Sequence, residues 1–98
     1  MSVILHTLNA SPASGAFDDC LRAITADDAL LLLGDGVYAA MAHSRAWERL
    51  RACGAPLYVL RADASAAGVL PLLEEIEVVD MDGFVALTER YPRQLAWY

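Results

Sequence analysis

Short apolar segments alternate with helical segments along the whole chain, and this alternation most limits the possible folds. The apolar segments that read as strands are residues 2–8, 29–33, 57–60, 76–79 and 94–98. Strands alternating with helices form a mostly parallel sheet, because a crossover must return the chain to the same end of the sheet. The sequence therefore predicts one α/β domain over residues 1–98. We expect three layers, with a sheet of about five strands flanked by helices.

Helical patterns and turn residues fill the intervals between these strands. Ser11 and Pro12 are typical of a helix start, and the first helix is expected to run to about Thr25. Further helices are predicted over residues 37–42, 44–53 and 80–90, with a helical turn over 69–73. Segment 61–68 reads as a polar connection. Gly34-Asp35-Gly36 predicts a tight turn in which Asp35 caps the next helix.

The composition favours an oligomer and argues against nucleic-acid binding by this chain alone. Hydrophobic residues make up 57% of the sequence, above the usual share of about 45–50%. Apolar surface left exposed on a small domain usually marks a partner interface. Acidic residues outnumber basic ones by 13 to 7, all seven basic residues are arginine, and the net charge is −6. Phosphate binding needs a basic field, so we expect no direct contact with RNA.

The sequence also limits location and cofactors. No apolar run approaches the roughly 18 residues of a membrane span, and the start of the sequence shows no basic region of a secretory signal. Cys20 and Cys53 lack Cys-x-x-Cys or zinc spacing. We therefore expect a cytoplasmic protein with reduced thiols, no membrane contact, and no metal or cofactor.

Cys20 is the one candidate for sulfur chemistry that the residues suggest. On a helical wheel it lies roughly 65° from the centre of the apolar stripe of its helix. It is either a thiol that carries a persulfide or a small packing residue at the border of that stripe. Cys53 is a weaker candidate, because the end of a helix disfavours a thiolate. His6 and His43 lack a second metal ligand at suitable spacing and are interpreted as packing or surface residues.

Three collinear blocks resemble the TusB/DsrH family. The first is Leu5-His6-Thr7-Leu8-Asn9-Ala10-Ser11-Pro12. The second is the leucine-rich strand that leads into Asp35-Gly36-Val37-Tyr38-Ala39-Ala40. The third comprises Val79-Asp80, Gly83-Phe84-Val85, Leu87-Thr88 and Gln94-Leu95-Ala96-Trp97. Gly34 departs from this pattern, because the family more often has a polar residue before the Asp-Gly pair.

The resemblance implies a DsrE/F/H-like fold and a place in a hetero-hexamer with TusC/DsrF-like and TusD/DsrE-like subunits. In the TusBCD branch, such a complex receives persulfide sulfur from TusA and passes it through TusE toward 2-thiolation of the tRNA wobble uridine. The principal sulfur-carrying cysteine of the family belongs to the TusD/DsrE subunit. This chain is therefore expected to be an accessory subunit that is not catalytic alone. Cys20 matches in place a cysteine of DsrH-like members, so a role in sulfur transfer stays open.

Three alternatives to the TusB-type function stay open from the sequence. The first is a DsrH-type subunit of a DsrEFH complex in dissimilatory sulfur oxidation. The second is a stand-alone thiol enzyme that uses Cys20. The third is a purely structural homo-oligomer.

Overall fold

A computed structural model describes residues 3–98, which form a parallel sheet with helices on both faces. Met1 lies outside the described residues, as does Ser2, where the first strand was predicted to begin. The strands are β1 (Ile4–Leu8), β2 (Ala29–Leu32), β3 (Leu57–Leu60), β4 (Glu77–Val79) and β5 (Arg93–Trp97). The helices are α1 (Gly15–Ala23), α2 (Arg45–Ala52), α3 (Arg61–Ala66) and α4 (Met81–Arg90), with 3-10 segments at Gly34–Ala40 and Leu70–Leu72.

The strand order places the first strand of the chain next to the last. Within residues 3–98 the order is β4-β3-β2-β1-β5, and every neighbouring pair is parallel. On β1, His6 lies opposite Leu30 of β2 on one side and opposite Leu95 of β5 on the other. The predicted α/β domain with a parallel sheet of about five strands is thus confirmed.

The two faces of the sheet carry cores of unequal size. The larger core combines one face of the strands with residues of α1, α2, α3 and the first 3-10 segment; its largest fully buried members are Leu8, Phe17, Leu30, Leu32 and Leu50. The smaller core, on the opposite face, has α4 as its cover and consists of Leu5, Ala29, Leu31, Tyr58, Val79, Leu87 and Tyr91. Strands buried on both faces explain why β2 is an unbroken apolar run.

The first helix begins later than the sequence predicts. Its N-cap is Ser14, whose hydroxyl accepts a hydrogen bond from the Phe17 N–H at 3.3 Å, and Ser11 forms the preceding turn. Both serines suit a cap. A Cβ atom at Gly15, the residue after Ser14, would meet nothing within 4 Å. Ser44 caps α2 in the same way, accepting from the Trp47 N–H at 3.1 Å. The predicted position of α2 is therefore confirmed.

Two further predictions about local structure are wrong. Segment 61–66 forms helix α3 although its sequence shows no apolar stripe, and Ala64 is its one buried residue. The segment after β2 is a 3-10 helix that begins at Gly34, and its N-cap is Leu33, which makes no side-chain cap hydrogen bond. Asp35 is exposed and caps nothing. The carboxylate of Asp63 in α3 instead accepts a hydrogen bond from the Gly34 N–H.

Candidate functional site

Cys20 lies in the second half of α1 and is completely buried. Its neighbours in the larger core include Phe17 and Leu50. The sequence placed this residue at the border of the apolar stripe, but the structure places it inside the larger core. Arg49 of α2 lies over the Phe17 ring at 5.2 Å and forms an ion pair with Asp18 at 2.8 Å.

The surroundings of Cys20 favour the thiol over the thiolate. Burial raises the pKa of Cys20 to about 12, with a smaller contribution from the Cys53 thiol. A thiolate, the form that attacks a sulfur donor, is therefore rare at neutral pH. In this conformation the side chain also has no route to solvent. Transfer of sulfur to Cys20 would need both exposure and a lower pKa.

Cys53 follows α2 and is half-buried. It lines an open groove of about 390 Å³ together with Asp18, Leu21, Arg22, Arg49 and Ala52. Both arginines form ion pairs, Arg22 with Asp19 and Arg49 with Asp18. Each guanidinium that lines the groove with Cys53 is therefore already paired with a carboxylate.

The turn after β2 packs tightly against the end of β1, and this explains both of its glycines. Gly34 has a φ of +53°, and a Cβ there would overlap with the carboxamide of Asn9. A Cβ on Gly36 would collide with the Leu8 carbonyl oxygen. Gly34, the position that departs from the family pattern, is therefore required here by backbone conformation and by contact with Asn9.

The same turn does not offer its N–H groups to an anion. The Gly34 N–H donates to Asp63 Oδ2 of α3 at 2.7 Å, and the Gly36 N–H donates to the Leu33 carbonyl at 2.9 Å. Asp35 and Asp63 also make the adjoining pocket of about 230 Å³ acidic. The turn is structural, as the sequence predicts. The role of Asp63 was missed, and no sequence signal identifies it, because the contact spans 29 residues.

Two shallow pockets lie at the carboxyl edge of the sheet, among the segments that follow β2, β3 and β4. One joins Gly34, Asp35 and Tyr38 to Asp63 and α3. The other, about 310 Å³, is lined by Leu60, Arg61, Ala62, Ser65, Asp80 and Met81. Neither pocket contains a cysteine or a histidine. Cys20 and Cys53 lie away from this edge, so the structure does not combine the thiols with the usual ligand-binding region of such sheets.

A buried polar network links His6, Asp28 and Trp97. The Trp97 indole N–H donates to His6 Nδ1 at 3.0 Å, so Nδ1 carries no proton and Nε2 is the protonated nitrogen. His6 Nε2 then donates to Asp28 Oδ2 at 3.0 Å. His6 is 1% exposed, too buried to contact a substrate. Its interpretation as a packing residue is confirmed, but its partners are 22 and 91 residues away and could not be predicted.

Asp28 holds the start of β2 against the start of β1. Burial alone would raise the pKa of Asp28, but hydrogen bonds from the Thr25 N–H, the His6 ring and the Ile4 N–H outweigh it, and the pKa is lowered. The carboxylate is therefore charged at neutral pH. Asp28 is buried, whereas its neighbour Asp27 is exposed.

The remaining histidine lies on the surface, beside an acidic residue. His43 is exposed, has a φ of 68°, and lies 3.5 Å from Glu74. In the part of the chain that the structure describes, no group of three histidine, cysteine or acidic side chains could hold a metal ion. No helix among residues 3–98 is long and apolar enough to cross a membrane.

Comparison with known proteins identifies the family. The model of the family described as DsrH like protein matches residues 10–94, most of the chain. The chain belongs to the DsrH-like family. Its resemblance to TusB/DsrH proteins, which the three sequence blocks indicated, is thereby confirmed.

Curated relatives of this DsrH-like chain carry the name Protein TusB. The relative from Pectobacterium parmentieri is 43% identical over 95 residues, covering 96% of this chain and all of that protein. The relative from Escherichia coli K12 is 40% identical with the same coverage. The chain therefore aligns with these proteins over their entire length.

Solved structures support the fold of this DsrH-like chain. The crystal structure of the YchN protein from Escherichia coli matches with a TM-score of 0.79, covering 98% of this chain and 99% of that one at 22% identity. The solution structure of protein Tm0979 from Thermotoga maritima matches with a TM-score of 0.65 at 18% identity, covering 90% and 93% of the two chains. At these identities the likeness concerns the fold alone.

Proposed function

We propose that this chain is a subunit of a TusBCD-type sulfur-relay complex, which passes persulfide sulfur toward 2-thiolation of the tRNA wobble uridine. The observation that carries the proposal is the full-length similarity to proteins named TusB, at 40–43% identity. Its partners would be TusC-like and TusD-like subunits in the cytoplasm. TusA and TusE would act before and after the complex.

The role proposed for this chain is accessory. Both thiols of the sequence are poorly suited to receive sulfur, since Cys20 is buried with a raised pKa and Cys53 lies beside arginines that are already in ion pairs. A stand-alone thiol enzyme needs an exposed thiol of lowered pKa. The chain would instead contribute shape and contacts to a complex in which another subunit carries sulfur.

Copurification and tRNA analysis together test this proposal. The tagged chain is expressed with the two paralogous subunits encoded in the same genome, and a stable complex of all three is expected. Deleting the gene for this chain should abolish 2-thiouridine in tRNA, measured by mass spectrometry of nucleosides. Restoring the gene should restore the modification.

The same deletion separates the DsrH-type alternative from the TusB-type function. If 2-thiouridine persists while oxidation of reduced sulfur compounds fails, the chain serves a DsrEFH complex. If the chain copurifies with neither paralogue and both phenotypes are absent, the relay function is wrong. The DsrH-like family match alone is compatible with either branch.

A further inference from the structure

The free edge of β5 is the surface of this fold least protected against another strand. Residues 93–96 are all exposed, and in the described part of the chain β5 pairs with β1 alone. Proteins usually protect such edges with short strands, charges, proline or bulges. The opposite edge of the sheet follows this rule, because β4 has three residues and includes exposed Glu77. β5 is longer, with five residues, and its one charged residue, Arg93, stands at the first position after Pro92, so residues 94–97 carry no charge.

The backbone of β5 directs specific groups outward. The Asn9 N–H donates to the Trp97 carbonyl at 2.8 Å, so the N–H and C=O of Trp97 face β1. Backbone groups alternate sides along a strand, so those of Arg93 and Leu95 also face β1. The N–H and C=O groups of Gln94 and Ala96 therefore point away from the sheet.

From this geometry we infer that β5 is a self-association surface, on which β5 of a second copy pairs antiparallel about Leu95. In this register Gln94 of one copy lies opposite Ala96 of the other, and the pair exchanges two hydrogen bonds. The two-fold axis relates this pair to a second, identical pair. The N–H and C=O groups of Gln94 and Ala96 in each strand therefore all form hydrogen bonds. Pro92 lacks an N–H, which disfavours a shift of the register toward the start of the strand. The result is a ten-stranded sheet through two copies.

The side chains agree with this register. Leu95, which is 42% exposed, meets its own symmetry copy at a non-hydrogen-bonded position, where side chains approach most closely. Arg93 of one copy lies opposite Trp97 of the other, on the same face. The two Arg93 side chains are then about four residues apart along the strands, roughly 13 Å, so their repulsion is screened at physiological salt. The inference does not depend on the proposed function.

Mutation of Leu95 tests the surface with the full-length chain. Sedimentation equilibrium of the purified protein should show a dimer. Leu95→Glu places two carboxylates opposite each other and should raise the dimer dissociation constant about tenfold or more. The matched control is Val85→Glu, which makes the same change at a residue of α4 that is 53% exposed. It should leave the dissociation constant within about threefold of the unmodified chain.

Cross-linking tests the register independently of any effect on stability. In a variant with Cys20→Ala and Cys53→Ala, an added Leu95→Cys should form an intermolecular disulfide on mild oxidation. Facing Cα atoms at such a position are about 4.5 Å apart, within the range that a disulfide spans. A chain that stays monomeric, or equal effects of Leu95→Glu and Val85→Glu, would overturn the inference. Cross-linking through Ala96→Cys but not Leu95→Cys would overturn it as well.

Discussion

At the scale of single residues, Asp28 is a carboxylate that the fold buries. Its carboxylate receives hydrogen bonds from two backbone N–H groups and from His6, while being almost fully buried. Removing the carboxylate leaves its three donors without an acceptor. The cost therefore exceeds that of a surface ion pair.

Asp28→Asn should lower the free energy of unfolding by about 2–4 kcal/mol at pH 7, because an amide cannot accept from all three donors. The control is Asp27→Asn, since Asp27 is exposed and one residue away. It should change stability by less than about 0.5 kcal/mol. Urea unfolding followed by circular dichroism measures both variants. Equal effects of the two substitutions would contradict the role of Asp28.

The lowered pKa of Asp28 also predicts how stability depends on pH. The unfolded carboxyl, with a pKa of about 3.9, binds a proton before the folded one does. The contribution of Asp28 is therefore complete above that value and is lost as pH falls through the lower folded pKa. Unfolding curves at pH 7 and pH 3 should show a smaller loss of stability for Asp28→Asn than for the unmodified chain. Parallel losses would exclude this contribution.

Cys20→Ser tests whether the buried thiol packs or carries sulfur. We expect a loss of about 1–2 kcal/mol in stability, because a hydroxyl replaces a thiol in an apolar core. Complex assembly and 2-thiouridine levels should be retained, and so should those of the control Cys53→Ser. Loss of 2-thiouridine with normal assembly would support sulfur transfer. So would an adduct of about 32 Da mapped to Cys20 after incubation with a persulfide donor.

At the scale of elements, the contact between the first 3-10 segment and the end of β1 leaves no room for a side chain at Gly36. Gly36→Ala would drive a methyl group into the Leu8 carbonyl and should cost about 2–4 kcal/mol. The control is Gly15→Ala in α1, where a Cβ meets nothing within 4 Å. This change should stabilise the chain by about 0.5–1 kcal/mol. Thermal unfolding of the two variants should shift in opposite directions, and shifts of the same sign would contradict this packing.

The sequence predicted those elements whose own residues carry a signal. β2 is an unbroken apolar strand, and Ser44 precedes an amphipathic pattern, so both were found. Helix α3 was missed because its residues are small or polar, and because its place depends on the contact between Asp63 and Gly34. The His6 network was missed for a similar reason. It depends on which strands become neighbours, and no local pattern records that choice.

At the scale of the whole molecule, the charge predicts weak affinity for RNA. The net charge is −6, and without lysine the sequence offers few cations that could follow a phosphate backbone. The isolated chain should show no binding to tRNA at physiological salt in fluorescence anisotropy. Sub-micromolar binding that weakens steeply as salt increases would contradict this prediction. If the isolated chain does not bind tRNA, other subunits of the proposed complex would hold the tRNA substrate.

The neighbours of β1 give the two tryptophans different uses as folding probes. β1 pairs with β2 early in the sequence, but its other neighbour, β5, lies roughly 90 residues further along, and such distant contacts form slowly. Trp47 is buried with α2 in the larger core, whereas Trp97 reaches His6 only when β5 has docked. In a Trp97→Phe variant, the fluorescence of Trp47 during refolding therefore reports core formation. In a Trp47→Phe variant, the fluorescence of Trp97 reports closure of the sheet, and a delay between the two signals measures how late that closure occurs.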